Sequence, residues 1–440
     1  MKLVFMLSIA WKATSLLQAQ QLPMPDELRS FIQQANANYP QLKQQQLQLQ
    51  AGDVRVEIAQ SAKRPNVQLT GSYTYVTPVS GITPPLNGRE IPLKFAPTQS
   101  VNGYVSVNQP ICDFERTEAL IRLASDNAQI LQHNYELAQQ TLAYQVAAVY
   151  YGIGFLQQGI AVQDSVIKTA GATVKVLSTR LQNGDALQYD VFSQQVRMKI
   201  AVNRKVELQN QLDRQLAALT YLTGSACRIT TQPIQQLLDQ SQTALEQGID
   251  VEGQIKRAKL ANKDMLLAQG RVKVAETDAL VSQRSSGLML TISSLAGIRN
   301  GYAPAVDQLR PNLAVSLNAT VPIYAGNQYT LKNRVAELNV KASQYAVDEV
   351  QAQLHQRLTQ LQADSRSNQA RLANLDTQVL QAREALAMAN VRFRNGLITT
   401  AELQSAQTSV EEAELVRLNF RYQLLLNRLE LKRLLGEPLL

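Results

Sequence analysis

The sequence predicts a mainly α-helical protein with a transmembrane β-barrel portion, assembled from one structural unit written twice. Three observations carry that prediction. Landmarks recur at a single offset: Pro110-Ile111 returns as Pro322-Ile323, 212 positions on (322 − 110), and the pairs Arg180…Gly184…Asp190-Val191 with Arg392…Gly396…Glu402-Leu403, and Leu222-Thr223-Gly224 with Leu434-Leu435-Gly436, keep the same spacing. Landmarks so far apart hold one register only when the halves are built alike. Each half also contains a long stretch with heptad spacing, and each contains a pair of alternating runs about ten residues long, the length of a tilted membrane-crossing strand.

Composition agrees with long helices. In 440 residues there are 20 Gly and 15 Pro, and aromatics make up 5%, sparse punctuation for packed globular domains. The net charge of +8 comes from Lys and Arg scattered among Asp and Glu, a solvated surface rather than a nucleic-acid patch. Met1-Lys2 followed by the apolar Leu3 to Trp11 resembles a signal peptide over 1–20, with Lys12 closing the apolar stretch and Leu17-Gln18-Ala19 as its cleavage site. The longest later apolar run, Val146 to Leu156, carries Gly152 and Gly154 and falls short of the ~20 residues a membrane helix needs, so entry into a membrane has to be by strands. Cys112 and Cys227 stand too far apart in the sequence to suggest a disulfide framework. His133 and His355 do not correspond between the halves, and no phosphate-binding loop, metal-ligand spacing or nucleophile set accompanies them. The expectation is therefore a protein that is not an enzyme and needs no cofactor.

Residues 21–224 form the first repeat, 225–250 a connecting segment with short strand-like and helical pieces, and 251–440 the second repeat. Asp26 to Lys63 and Val251 to Arg284 are the opening helices, polar with spaced Leu, Val and Ala. In the strand pair at 66–110, Val67, Leu69, Gly71, Tyr73 and Tyr75 alternate with polar neighbours, and beyond a Pro- and Gly-rich loop (Pro78 to Pro97) Val101, Gly103, Val105 and Val107 do the same. In the pair at 287–322, Leu288, Leu290 and Ile292 begin the pattern and Leu313, Val315, Leu317, Ala319 and Val321 complete it, around a loop with Gly297, Gly301, Pro304 and Pro311. Pro110 and Pro322 are placed at the strand ends, where a missing backbone donor costs least, and mark the strand-to-helix transition. Tyr73, Tyr75 and Tyr104 are candidate membrane-interface aromatics.

Helical hairpins follow at 114–222 and 327–435. No Gly or Pro interrupts Asn327 to Asn395, and Leu354, Leu358, Leu361, Ser365, Asn368, Leu372, Leu375 and Val379 step by fours and threes toward Leu386 and Phe393, a seam for lengthwise packing on other helices. At 1.5 Å per residue such a helix is on the order of 100 Å long. Its first-half counterpart has Leu123, Ile130, Leu137, Tyr144 and Tyr151 at sevens, with Gly152, Gly154, Gly159 and Gly171 as places to bend. Leu181-Gln182-Asn183-Gly184 and Phe393-Arg394-Asn395-Gly396 close these helices, and Thr399…Glu402 reads as a capping box for the return.

With these features in place, nearly all of the mature chain resembles the TolC family of outer-membrane efflux and secretion channels. The doubled Pro-Ile, the doubled Arg-x3-Gly-x5-[Asp/Glu]-[Val/Leu] tip and the order of strands and helices carry the resemblance. It implies a homotrimer in which long antiparallel helices form a trimeric α-barrel tunnel in the periplasm and each chain gives four strands to a shared 12-stranded β-barrel in outer-membrane lipid. It implies contact with a periplasmic adaptor at the tips, here Arg180, Asn183, Gly184, Arg392, Asn395 and Gly396, and an inner-membrane transporter, proton-driven or ABC, behind the adaptor. It also implies a pore constriction just beyond the tips, where Asp190 and Glu402 keep family acids, Ser405 stands in place of another acid, Phe393 replaces a Tyr and Ile398 an Arg. Such a gate has a thinner acidic ring and lacks the polar lock. Two other readings stay open from sequence: the same architecture as an exit channel for protein secretion, and a periplasmic coiled-coil scaffold or adaptor without a pore.

Overall fold

A computed structural model describes residues 25–83, 85–86, 89–90, 93–225 and 251–438. The expected signal segment 1–20, nearly all of the expected connecting segment 225–250 and Cys227 lie outside the described residues. In chain order the elements are α1 (Asp26–Asn38), α2 (Pro40–Ser61), β1 (Asn66–Tyr75), four two-residue strands β2 (Gly81–Ile82), β3 (Pro85–Leu86), β4 (Arg89–Glu90) and β5 (Leu93–Lys94), β6 (Gln99–Cys112), α3 (Arg116–Gln182) and α4 (Gln188–Thr223). The second half supplies α5 (Val251–Ala261), α6 (Lys263–Arg284), β7 (Met289–Arg299), β8 (Arg310–Thr320), α7 (Gln328–Arg394) and α8 (Thr400–Leu434).

The chain forms two compact units that cut across the repeats. One comprises 47–132 and 267–347; the other comprises the segments up to 46, 133–266 and from 348 on. Each repeat contributes segments to both.

The first unit is organised by one antiparallel sheet in the order β1-β6-β7-β8. β1 pairs with β6 from Asn66↔Asn108 to Tyr75↔Gln99, and β7 with β8 from Met289↔Thr320 to Arg299↔Arg310. The β6–β7 pairing (Asn102↔Arg299 to Cys112↔Leu290) is what joins the halves. The expected loop Pro78 to Pro97 is itself a hairpin, with β2 on β5 and β3 on β4. Gly297 and Pro311, expected in a loop, are inside β7 and β8, where Gly297 pairs with Asn312 and Ile298 with Pro311. Gly297 lies so close to Gly103 and Tyr104 that a Cβ would sit 2.1 Å from the Gly103 carbonyl oxygen.

The second unit has a core of Leu28, Phe31 and Ile32 from α1, Leu142, Val146, Tyr150 and Ile153 from α3, Leu219 from α4 and Leu425 from α8. The apolar run at Val146 to Leu156 is thus a buried helix segment, and α3 passes through its glycines as one helix of 67 residues. No helix among the described residues is long and apolar enough to cross a membrane. In the same core the Tyr150 hydroxyl donates to Glu27 Oε2 at 3.0 Å, and burial together with that carboxylate holds the phenol far above its ordinary pKa. The heptad seam of α7 is buried at Leu354, Leu358, Leu361, Ser365, Leu372, Leu375, Val379 and Phe393.

Both opening helices, expected as single elements, are broken. Pro40 pushes Tyr39 into an extended conformation with ψ 118°, since the residue before proline avoids helical angles. At the second break Asn262 receives the Met265 N–H on its Oδ1 at 2.9 Å and donates from Nδ2 to the Leu434 carbonyl at 2.9 Å. Asn38 similarly donates to the Thr223 carbonyl at 2.9 Å. In each half, then, an asparagine at the helix break ties down the C-terminal end of the hairpin. Gly436 closes the second, with φ +68° and an imagined Cβ 2.0 Å from the Ala261 carbonyl oxygen.

Candidate functional site

The sheet has one apolar face. Its registers place Val67, Leu69, Tyr73 and Tyr75 of β1, Val101, Val105 and Val107 of β6, Ile292, Ala296 and Ile298 of β7, and Leu313, Val315 and Leu317 of β8 on the same side. Leu69 is 82% exposed and Leu313 75%, so large apolar side chains on both edge strands face away from the protein. The opposite side carries Gln68, Thr70 and Ser72, Asn102 and Ser106, Ser293, and Asn312, Ser316 and Asn318. Asn318 Nδ2 donates to Ser293 Oγ at 3.2 Å across this polar side. A ladder that is apolar on one side and polar on the other is the pattern of a wall with lipid outside and water inside. Tyr73 and Tyr75 lie on the apolar side near the end remote from α3. Tyr104 pairs with Thr70 and Gly297 on the polar side and is thereby removed from the membrane-interface candidates.

Pro110 does not end its strand. It pairs with Thr291 two residues before the end of β6, at a register shift between Pro110 and Cys112, a bulge that absorbs the missing donor. Pro322 lies two residues beyond β8. The transitions themselves are made by two left-handed residues in each half: Phe114 (φ 50°) and Glu115 (φ 66°), then Gly326 (φ 58°) and Asn327 (φ 62°). These four positions obey the same offset. Gly326-Asn327 was legible as a left-handed step; Phe114-Glu115 carries no such signal. Glu115 is held by Arg284 at 2.9 Å, and Asp113 Oδ2 accepts the Thr117 N–H at 2.7 Å. Cys112 is exposed and unbridged.

The hairpin tips repeat one backbone device. Asp185 N–H bonds the Arg180 carbonyl at 2.8 Å and Gly184 N–H the Leu181 carbonyl at 3.1 Å; Leu397 N–H bonds the Arg392 carbonyl at 2.9 Å and Gly396 N–H the Phe393 carbonyl at 3.0 Å. With φ +83° and +72° at Gly184 and Gly396, both are Schellman closures. Asn183, Gly184, Arg392, Asn395 and Gly396 are exposed. Arg180 differs from them: its Nη2 donates to the Phe393 and Arg394 carbonyls at 2.8 and 2.7 Å, and its guanidinium lies 4.9 Å from the Phe393 ring centre. It caps α7 and joins the two tips, with its Nη2 donors used inside the chain. Phe393 is buried with Leu177, Val191 and Leu403, and Ile398 packs against them; the position expected to lack a polar lock is an apolar plug.

The acids of the expected constriction serve the helix starts. Glu402 Oε2 accepts the Thr399 N–H at 2.7 Å and its hydroxyl at 2.9 Å, while Thr399 Oγ1 accepts the Glu402 N–H at 3.2 Å. These bonds from the Thr399 backbone and side chain hold the Glu402 carboxyl below its ordinary pKa. Asp190 makes half of the same box, accepting the Leu187 N–H at 3.3 Å, since Leu187 has no side-chain acceptor to return. Ser405 is exposed one turn further on.

Sequence reading missed a polar cluster higher in the hairpins. Glu411, 6% exposed, receives Arg204 Nη1 at 2.8 Å, Gln163 Nε2 at 3.1 Å and the Arg197 guanidinium at 3.6 Å. Arg197 also donates to the Gln404 carbonyl at 3.0 Å and to Thr408; burial lowers its pKa, opposed by Glu411. Beside it, Arg383 and Arg417 share Glu414, and Arg417 and Arg421 share Asp376. The only signal was a charged residue where a seam should be apolar. Among the described residues no group of three His, Cys, Asp or Glu gathers as a metal site.

Comparison with known proteins bears directly on this arrangement. The family model described as "Outer membrane efflux protein" matches residues 31–225 and 254–437. Outer membrane protein TolC of Salmonella enteritidis is 22% identical over 94% of this chain and 83% of its own length. Among solved structures, the outer membrane protein VceC of Vibrio cholerae aligns with a TM-score of 0.75 at 17% identity over 94% of this chain and 96% of its own, and a membrane protein of Pseudomonas aeruginosa with 0.78 at 17% over 93% and 90%. The two-sided sheet and the paired hairpins are therefore those of an outer-membrane channel with a periplasmic helical tunnel, the exit duct of an efflux system, and the chain belongs to the outer membrane efflux protein family.

Proposed function

We propose that three copies close one barrel, each giving four strands, and that the resulting duct passes small molecules delivered by an inner-membrane transporter through a periplasmic adaptor. The sheet carries this reading. β1 and β8 each have one unpaired edge, and an open edge is not tolerated in lipid. Four strands cannot close a barrel, whereas twelve fall well within the range of bacterial barrels. The apolar side then meets lipid and the polar side water, with Tyr73 and Tyr75 as interface anchors and Pro110 and Pro322 beside the passage from barrel to tunnel. Adaptor docking is assigned to the exposed tip residues Asn183, Gly184, Arg392, Asn395 and Gly396, without Arg180. Asp190, Glu402 and Ser405 belong to the narrow end, the two acids fixing the first turns of α4 and α8 there. The native mass of the protein extracted from separated outer membranes tests this: a trimer is expected, and a soluble monomer or dimer overturns it in favour of a scaffold without a pore. Accumulation of small toxic compounds on deletion, with protein export intact, supports the cargo class; the converse assigns protein secretion.

A further inference from the structure

A cavity of about 470 Å³ lies between α3, α4, α7 and α8, and every residue lining it belongs to the second unit. That volume falls within the roughly 300–1,000 Å³ of small-molecule sites. Its lining mixes two chemistries. Val162 and Val166 of α3, Leu386 of α7, and Val410 and Leu418 of α8 supply apolar surface, while Arg197, Arg383, Arg417 and Arg421 bring guanidinium groups to the same space.

The charges do not cancel. Glu411 and Glu414 also line the cavity, and each is shared, Glu411 by Arg197 and Arg204, Glu414 by Arg383 and Arg417. Four cations on two carboxylates leave two positive charges in excess. Arg421 stands 3.7 Å from Asp376 and so adds a cation together with its counter-charge. Sharing also leaves long contacts: Arg197 is 3.6 Å from Glu411 and Arg417 3.6 Å from Asp376, beyond ordinary N–H···O hydrogen-bond range. Nε of Arg197 is buried without a hydrogen-bond partner, on a residue only 8% exposed. A guanidinium carries five N–H donors and forks readily onto the oxygens of an oxyanion.

We propose that this cavity binds a small organic anion, with a carboxylate, sulfonate or phosphate head against the arginines and an apolar body against the valine and leucine wall. A cation entering it meets a net positive lining whose acids are already engaged. An inorganic ion alone would leave most of the volume, and all of the apolar wall, to water. The side chain of Arg383 is 58% exposed and that of Arg197 10%, so the guanidinium groups run from an open mouth to a buried floor. A bound anion supplies the missing negative charge and bridges α4 to α7 and α8. The site lies within one chain; it goes beyond the channel reading and does not rest on it.

Titration calorimetry of the full-length protein in neutral-lipid nanodiscs, with naphthalene-2-sulfonate as probe, tests the site. Saturable binding of one probe per chain is expected, weakening as salt screens the arginines. The same two-ring body carrying a methylammonium group should not bind, and inorganic sulfate should bind at least tenfold more weakly. Ser165 and Ala161 line the cavity and are exposed, so both can be changed without touching the ion pairs. Ser165→Glu, which puts a carboxylate into the lining, and Ala161→Trp, which fills the space, should each weaken the sulfonate at least tenfold with native mass unchanged. No saturable binding to the wild-type protein overturns the proposal, as does equal binding of the ammonium probe or of sulfate. Unchanged affinity in both variants also overturns it, by placing the probe elsewhere. None of these results alters the native mass, so the trimeric channel stands or falls separately.

Discussion

Replacing Arg180 by Met separates a helix-capping role from a docking role. The wild-type guanidinium supplies two charge-assisted hydrogen bonds, 2.8 and 2.7 Å, to the Phe393 and Arg394 carbonyls, plus a cation–π contact at 4.9 Å with Phe393. In water-accessible surroundings each such bond is worth about 1 kcal/mol net, toward the low end for charged donors, and the ring contact about 0.5–1 kcal/mol. Methionine retains the stem that covers Phe393 and sets a sulfur against the ring, which offsets the cation–π contact, so the loss falls on the two hydrogen bonds and comes to about 2 kcal/mol. At 1.4 kcal/mol per tenfold change, the closed tip becomes about 30-fold less favoured against its opened form. Hydrogen exchange of the detergent-extracted protein reads this directly, because the Asn395, Gly396 and Leu397 amides are bonded within the tip and should lose about that much protection. Arg180→Lys, one point charge in place of a fork, should fall between. Unchanged exchange across 393–398 in Arg180→Met refutes the cap. Weakened adaptor binding with that exchange unchanged would return Arg180 to the docking surface.

Glu411→Leu should lower unfolding stability by about 3 kcal/mol or more, because it strands the buried Arg197, whereas Arg204→Ala, removing a partner 55% exposed, should cost under about 1 kcal/mol; equal midpoint shifts in thermal unfolding would contradict the network. Glu115→Asn, copying Asn327 at the matching left-handed position, should hold or raise stability by up to about 0.5 kcal/mol despite losing the exposed Arg284 pair, while Glu115→Val should lower it by more than about 1 kcal/mol; a reversed order would remove the backbone as the cause. Burial alone would raise the Glu430 carboxyl, but Arg433 and Arg357 bring it below its usual 4.5. A lowered folded pKa stabilises above the unfolded value and is lost as pH falls through the folded one, so Glu430→Gln should flatten the decline in unfolding midpoint between pH about 5 and 3, and an unflattened curve would assign that decline to other carboxylates.

What was legible in the sequence was what periodicity and special residues encode. Alternation placed Val67 through Tyr75 and Leu313 through Leu317 on one side of a sheet because a pleat has period two and no freedom to choose otherwise. The fours and threes from Leu354 to Phe393 placed a buried seam for a similar reason. Illegible were the features that depend on a partner distant in sequence. Tyr104 falls on the polar side by the alternation itself, and only the fold supplies Gly297 as its partner there. Pro110 looks like a strand end until the bulge shifts that end two residues on. The left-handed pair Phe114-Glu115 is written in residues that do not favour it, and only its offset from Gly326-Asn327 betrays it.

The tip acids show why family position and local role had to be separated. A carboxylate at the third residue of a helix has a nearby donor in every chain: the backbone N–H at the cap. Glu402 takes that donor and also the Thr399 hydroxyl, whereas Asp190 faces Leu187 and takes only the N–H. The two acids therefore differ in how tightly they are held, although the repeat sets them at equivalent places. Whatever electrostatic influence these two acids have on a narrow pore is exerted by carboxylates already directed toward their own helix ends, and Asp190 has the weaker hold. Neutralising Asp190 should change ion preference more than neutralising Glu402, whose loss should instead loosen the start of α8. Single-channel reversal potentials of the two single variants decide it, and a larger shift from Glu402→Gln would mean that the capping bonds do not restrain its charge.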